Sequence, residues 1–134
     1  TNSQRRDCRV LAVDDNPDSR LVIELSLQKL GYSPVLAESA KAALAELRAR
    51  KFDIVLMDVQ MPGMDGYEAT REIRNLDNEN AAIPILALTA NAMVGDSELC
   101  FDAGMNDYLT KPINTDSLCD KIEVWMKRSL GGDA

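Results

Sequence analysis

Five short apolar segments, recurring at intervals of roughly twenty to thirty residues with helix-period patterns between them, constrain this chain most. They are Val10–Val13, Val35–Ala37, Ile54–Met57, Ile85–Leu88 and Tyr108–Leu109. Strands separated by helices need crossover connections, so the alternation predicts a parallel sheet in an α/β domain. The first, third and fourth segments are continuous apolar runs, the pattern of strands covered by helices on both faces. Tyr32-Ser33-Pro34 leads into the second, and a strand entered through Pro fits a sheet edge. The fifth is very short, which also suits an edge.

Three apolar central strands flanked by two weaker ones fit the order 2-1-3-4-5. That is a flavodoxin-like, doubly wound five-stranded parallel sheet with five helices. The helices carry their own start and stop signals. Asn16 followed by Pro17 reads as an N-cap with Pro in the first turn, and Gly31 ends that helix. Ser39 precedes a second helix, in which Ala42, Leu44, Ala45 and Leu47 form the expected buried stripe. Asp65 caps a third, expected to run to about Leu76 before a polar loop at Asp77–Asn80. A fourth is expected between Ala92 and Ala103, closed by Gly104. Asn114 or Asp116 opens the last, on which Leu118, Ile122, Trp125 and Met126 recur at core spacing. On the first helix Val22, Ile23, Ser26, Leu27 and Leu30 share one face, and Leu21 and Leu25 fall roughly opposite.

Composition narrows the chemistry. At 134 residues one domain is the default, with expected bounds of 9–128, a linker at 1–8 and a tail at 129–134. A net charge of −7, from 15 Lys+Arg against 22 Asp+Glu, argues against a nucleic-acid surface. The absence of His removes Ser-His-Asp and Cys-His nucleophile pairs, His-ligated metals and any imidazole base. Carboxylates, hydroxyls and Lys must therefore carry any reaction. Cys8, Cys100 and Cys119 form no Cys-x-x-Cys pair and fit as small apolar fillers. With no secretory segment and no apolar run near ~18 residues, the chain reads as cytoplasmic, without membrane contact of its own.

In an open parallel sheet, function sits beyond the carboxyl ends of the strands, where the strand order reverses. That rule brings Asp14 and Asp15, after the first strand, beside Asp58 after the third. Thr89 ends the fourth strand and Lys111 follows the fifth. Taken singly, each has a plainer role as a helix-dipole partner, turn residue, strand-end hydroxyl or solvated cation. Taken together those roles fail. Three crowded carboxylates repel one another unless a cation sits among them, and Lys111 supplies one positive charge. Mg²⁺ suits such a site, because it accepts a few carboxylates and keeps places for water and phosphate. With a neighbouring Lys and Thr, the cluster is equipped for phosphoryl transfer in which one carboxylate attacks phosphorus in line.

At these residues the sequence resembles the receiver domain of two-component response regulators, the CheY-like form of this fold, from about Arg9 to Lys127. The resemblance is carried by Asp14-Asp15-Asn16, by Met57-Asp58-Val59-Gln60-Met61-Pro62-Gly63-Met64-Asp65-Gly66, by Leu88-Thr89-Ala90, and by the stretch from Ala103 to Pro112. The wording Thr89-Ala90-Asn91-Ala92-Met93 and Asn106-Asp107-Tyr108 is similar to receivers attached to hybrid histidine kinases. The resemblance implies that Asp58 is the phospho-acceptor. It implies Mg²⁺ held by Asp15, by Asp14 directly or through water, by Asp58 and by the Gln60 backbone carbonyl. Lys111 would pair with the phosphoryl oxygens, next to a Lys111–Pro112 bond expected to be cis. Thr89 would swing onto the phosphoryl group and Tyr108 would then turn inward, with room left by Ala90. The donor would be a histidine kinase or a histidine-containing phosphotransfer domain, and the phosphate would be lost by slow self-catalysed hydrolysis.

Other classes fit less well. A phosphatase with an Asp nucleophile wants a second acid two residues on, where this chain has Gln60. A flavin mononucleotide site needs a Ser/Thr/Gly loop where Asp14-Asp15-Asn16-Pro17-Asp18 stands. An interaction-only domain has no use for the full set of Asp14, Asp15, Asp58, Thr89 and Lys111. Leu21 and Leu25 are either ordinary exposed leucines or a docking pair for a helical phosphodonor.

Overall fold

The computed structural model describes residues 8–90, 94–111 and 113–129. Their order is β1 (Val10–Val13), α1 (Pro17–Lys29), β2 (Val35–Ala37), α2 (Ala40–Ala49), β3 (Ile54–Asp58), α3 (Gly66–Arg74), a 3-10 turn (Glu79–Ala82), β4 (Ile85–Thr89), α4 (Val94–Ala103), β5 (Asp107–Thr110) and α5 (Thr115–Ser129). The strands pair in parallel in the order β2-β1-β3-β4-β5, as the apolar patterning predicts.

Alternation along the strands splits the core into two layers. Val10, Ala12, Ile54, Leu56, Leu86 and Leu88 pack against Ile23 and Leu27 of α1 and Leu118, Ile122 and Met126 of α5. Leu11, Val13, Val55, Met57, Ile85 and Ala87 face the other way, against Ala43, Leu44 and Leu47 of α2, Ala69 and Ile73 of α3, and Cys100 of α4. The expected caps form. Asn16, Ser39 and Asp65 accept backbone N–H groups of the helices they open, and Asn114 rather than Asp116 opens α5. Cys8 and Cys100 are buried and Cys119 is half-buried, and none of the three is in a disulfide. No helix among the described residues is long and apolar enough to cross a membrane.

The structure corrects three local expectations and sharpens a fourth. The buried stripe of α2 is Ala40, Ala43, Leu44 and Leu47, so Ala45 is exposed and Ala42 only half-buried. A stripe phased on Ala40 leaves Ala45 about 100° past Leu44 and outside the packed face. Val22 is exposed, because α1 meets the sheet through Ile23, Ser26 and Leu27 alone. α3 stops at Arg74 instead of near Leu76, since the N–H groups of Asn75 and Leu76 turn back to the Glu72 and Ile73 carbonyls in tightened turns. The polar loop at Asp77–Asn80 contains a buried anchor: Asn80 Nδ2 donates to the Leu47 and Arg50 carbonyls, each at 2.6 Å, and Oδ1 accepts the Phe52 N–H.

Strand ends matter for the site. β3 and β4 each run one residue beyond their apolar runs and take in Asp58 and Thr89. Backbone bonds continue past them, from Val59 N–H to the Leu88 carbonyl at 3.1 Å and from Lys111 N–H to the Thr89 carbonyl at 2.7 Å. Two of the polar residues singled out therefore stand on the sheet itself.

Candidate functional site

Register brings the carboxylates together. Val13 pairs with Met57 across β1 and β3, so Asp14 follows one strand beside Asp58 at the end of the other. Asp14 is fully buried, Asp58 is 3% exposed, and Asp15 lies open at the rim. Asp14, Asp15 and Asp58 each offer a carboxylate oxygen, and these atoms lie within 4.8 Å of one another. Lys111 enters from the end of β5, its backbone fixed by the Thr89 carbonyl. Its Nζ lies 3.0 Å from Asp14 Oδ2 and 3.4 Å from Asp58 Oδ1. The N–H of Asn16 donates to Asp14 Oδ1 at 2.9 Å, and that of Gln60 donates to Asp58 Oδ1 at 3.1 Å.

The electrostatics are strained without a further cation. Burial pushes the Asp58 carboxyl up from 3.8 to about 6, the Gln60 N–H opposes that rise, and the charge of Asp14 adds to it. Burial alone would lower Lys111, but contact with Asp14 and the charge of Asp58 hold it above its ordinary value. Asp14 Oδ2 is buried and makes no hydrogen bond, leaving only its ion-pair contact with Lys111. Three carboxylates against one ammonium leave two negative charges uncompensated at the rim. An all-oxygen cluster of this charge, two of its carboxylates buried, fits a hard divalent cation.

The start of α3 walls the site. Gly66 N–H donates to the Val59 carbonyl at 3.1 Å, and a Cβ at Gly66 would collide with the Asp58 carbonyl oxygen and sit 2.7 Å from Val59 Cα. Only glycine lets that helix approach the Asp58 backbone so closely. Thr89 is buried, and Tyr108 is half-buried against the core layer of α2, α3 and α4. Pro112 lies outside the described residues, and with it the expected cis bond.

Leu21 and Leu25 are exposed on α1, at 52% and 55%, and Val22 joins them. Beside Val22 runs a groove of about 180 Å³ lined by Asp18, Ser19, Val22, Ile23, Lys111 and Ile113. It links the apolar face of α1 to the ammonium at the acidic cluster. Two features escape the sequence. Arg20 Nη1 donates to the Asp14 carbonyl at 2.9 Å and braces the β1 turn, a contact open to any Arg one turn into the helix. Asp107, Lys121 and Trp125 form a polar cluster between β5 and α5, with Trp125 packed on the core as its spacing predicts while its indole N–H reaches Asp107.

Known proteins resemble this chain over most of its length. Residues 10–123 match the response regulator receiver domain family. The chain is 43% identical over 128 residues to the sensor protein GacS of Pseudomonas syringae, covering 94% of this chain and 14% of GacS. It spans under a fifth of the length of the curated relatives it matches first. The receiver domain of the sensor histidine kinase PA1611 from Pseudomonas aeruginosa, with a magnesium ion coordinated in its active site cleft, superposes with a TM-score of 0.82 at 44% identity, over 89% of this chain and 97% of that one. The receiver domain of Ssk1 from Saccharomyces cerevisiae, solved with the histidine phosphotransfer protein Ypd1, gives a TM-score of 0.83 at 31% identity, over 91% of each chain. Fold and family match coincide, and the chain belongs to the receiver domains of two-component response regulators.

Proposed function

We propose that this domain accepts a phosphoryl group from a phosphohistidine onto Asp58, within a relay whose kinase chain is of the hybrid sensor type. The observation that carries this reading is the meeting of Asp14, Asp15 and Asp58 within 4.8 Å, with Lys111 Nζ in contact with two of them. Asp58 Oδ1 is held by the Gln60 N–H, which leaves Oδ2 as the attacking atom. As the Oδ2–P bond forms in line, the bond from phosphorus to the imidazole nitrogen breaks. The electron pair leaves with the donor's imidazole, which takes a proton from solvent. Asp14, Asp15, Asp58 and the Gln60 backbone carbonyl would hold Mg²⁺, which when bound neutralises charge on the phosphoryl oxygens.

Lys111 pairs with one phosphoryl oxygen, and the Thr89 hydroxyl donates to another after rotating toward Asp58. Tyr108 then turns inward, which passes the change to the surface formed by α4, β5 and α5. Hydrolysis runs by attack of water on phosphorus, which returns the Asp58 carboxylate and inorganic phosphate. The magnesium in the PA1611 receiver supports the cation, and the Ypd1 complex supports the class of donor. Incubating the intact chain with a small acyl phosphate tests the reading. Acid-stable, base-labile phosphate should appear with MgCl₂ and be absent with EDTA; uptake indifferent to EDTA would overturn it.

The donor docks on the exposed Leu21–Leu25 face of α1, with Val22 leading into the groove at Lys111. Leu21→Ser with Leu25→Ser should slow transfer from a phosphohistidine protein by about tenfold or more, the effect of losing a central apolar anchor. Phosphorylation by the small acyl phosphate should be unchanged. Equal loss with both donors, or with neither, would sink this assignment.

A further inference from the structure

We infer that Asp107 is a positioning residue for Tyr108, tying the ring of that tyrosine to α5 through Lys121 and Trp125. The inference rests on the reading that Tyr108 moves when Asp58 is phosphorylated. The Asp107 carboxylate is shared by three groups. Its Oδ1 accepts the Tyr108 N–H at 2.8 Å and Lys121 Nζ at 2.9 Å. Its Oδ2 accepts Lys121 Nζ at 3.0 Å and the Trp125 indole N–H at 3.0 Å. Held there, the Lys121 ammonium lies 6.0 Å from the centroid of the Tyr108 ring, at the outer reach of a cation–π contact.

The cluster is built as a coupling device. Lys121 and Trp125 stand one turn apart on α5, so one carboxylate grips two successive turns of that helix. Burial works against the Asp107 charge, yet its donors hold the carboxyl below its ordinary value, so it is firmly anionic. Beside it lies a groove of about 280 Å³, lined in part by Tyr108, Thr110 and Lys121, and Tyr108 is only half-buried. A ring that leaves this position gives up the ammonium. Lys121 then bears on Asp107 alone, and the change is felt at the indole N–H on the next turn.

The chain has one Trp, so the Trp125 indole N–H is a single, unambiguous resonance. The first test is a double-mutant cycle on hydrogen exchange at that N–H, in Lys121→Met, Tyr108→Leu and the double variant. Each single change should speed exchange by at least about fivefold, the lower end of ordinary coupling between sites, and the double variant should add little more. Additive effects, or no effect of Tyr108→Leu, overturn the inference. This arm needs no phosphate, so it stands apart from the phospho-acceptor reading.

The second test compares the indole resonance before and after treatment with the acyl phosphate and MgCl₂. It should shift in the wild-type chain and stay in place in Asp107→Asn, with phosphate uptake retained in both. A shift that persists in Asp107→Asn overturns the inference. Absence of phosphate on the wild-type chain would refute the phospho-acceptor reading, and the double-mutant cycle would still decide whether Tyr108 and Lys121 are coupled at the Trp125 indole.

Discussion

Asp58→Asn is expected to abolish phosphate uptake and, with EDTA present, to make the protein more stable at neutral pH. Both effects come from one carboxylate. Asn offers no anionic oxygen to attack phosphorus, so incorporation from acyl phosphate should fall to background. The stability gain follows from burial, which raises the Asp58 carboxyl from 3.8 to about 6 in the folded chain. Because the folded pKa lies above the unfolded one, the charge costs nothing below pH 3.8, costs progressively more as pH rises, and costs its full amount above about 6. Removing it should stabilise the metal-free protein by on the order of 2 kcal/mol at pH 7.5, a gain that fades toward pH 4. Urea melts of both chains at several pH values check this. Added MgCl₂ should reverse the order, because a cation that binds only the folded wild-type site stabilises it by mass action.

Arg74→Met is expected to cost about 3 kcal/mol and to lower the melting temperature by roughly 10 °C, with little effect on chemistry at Asp58. The Arg74 guanidinium donates to the Gly104 carbonyl from Nε and Nη2, to the Ala81 and Ile83 carbonyls from Nη1, and to Asn106 Oδ1 from Nη2, all between 2.7 and 3.0 Å. These bonds join the end of α3, the 3-10 turn, the start of β4 and the turn before β5. Burial lowers the Arg74 pKa, in keeping with a cation among neutral acceptors. Met keeps the apolar stem and removes every donor. The Gly104, Ala81 and Ile83 carbonyls then lose a partner, and Asn106 Oδ1 keeps only the Ile85 N–H. Arg74→Lys should recover less than half of the loss, because an ammonium cannot reproduce the planar fork. The clamp lies at the pole of the sheet opposite the acidic cluster, so phosphate uptake well below the melting point should be retained. A cost under about 1 kcal/mol would mean that water replaces the guanidinium without penalty.

These two residues mark what is legible in the sequence and what is not. Asp58 could be placed beside Asp14 because topology did the work: apolar runs set the strand order, and the order sets which strand ends meet. Lys111 and Thr89 follow from the same logic, since each ends or follows a strand. The misses are local in phase or long-range in contact. Ala45 and Val22 fall outside the expected buried faces because an Ala-rich helix and a helix apolar on two sides carry too little contrast to fix their rotation. Arg74, Asn80 and Asp107 were invisible as anchors because their partners are backbone carbonyls or side chains far off in sequence. Arg74 and Gly104, for example, are 30 residues apart. Such bonds leave no periodic trace. Arg74 in particular sits in the last turn of a helix, where a solvated Arg is equally at home.

The most direct test of the central claim locates the phosphate. The intact chain is phosphorylated with an acyl phosphate and MgCl₂, reduced with borohydride to convert an aspartyl phosphate to homoserine, and mapped by peptide mass spectrometry. Conversion at Asp58 alone is the predicted result. Conversion at Asp14 or Asp15, or phosphate recovered on a Ser or Thr such as Thr89, would contradict it.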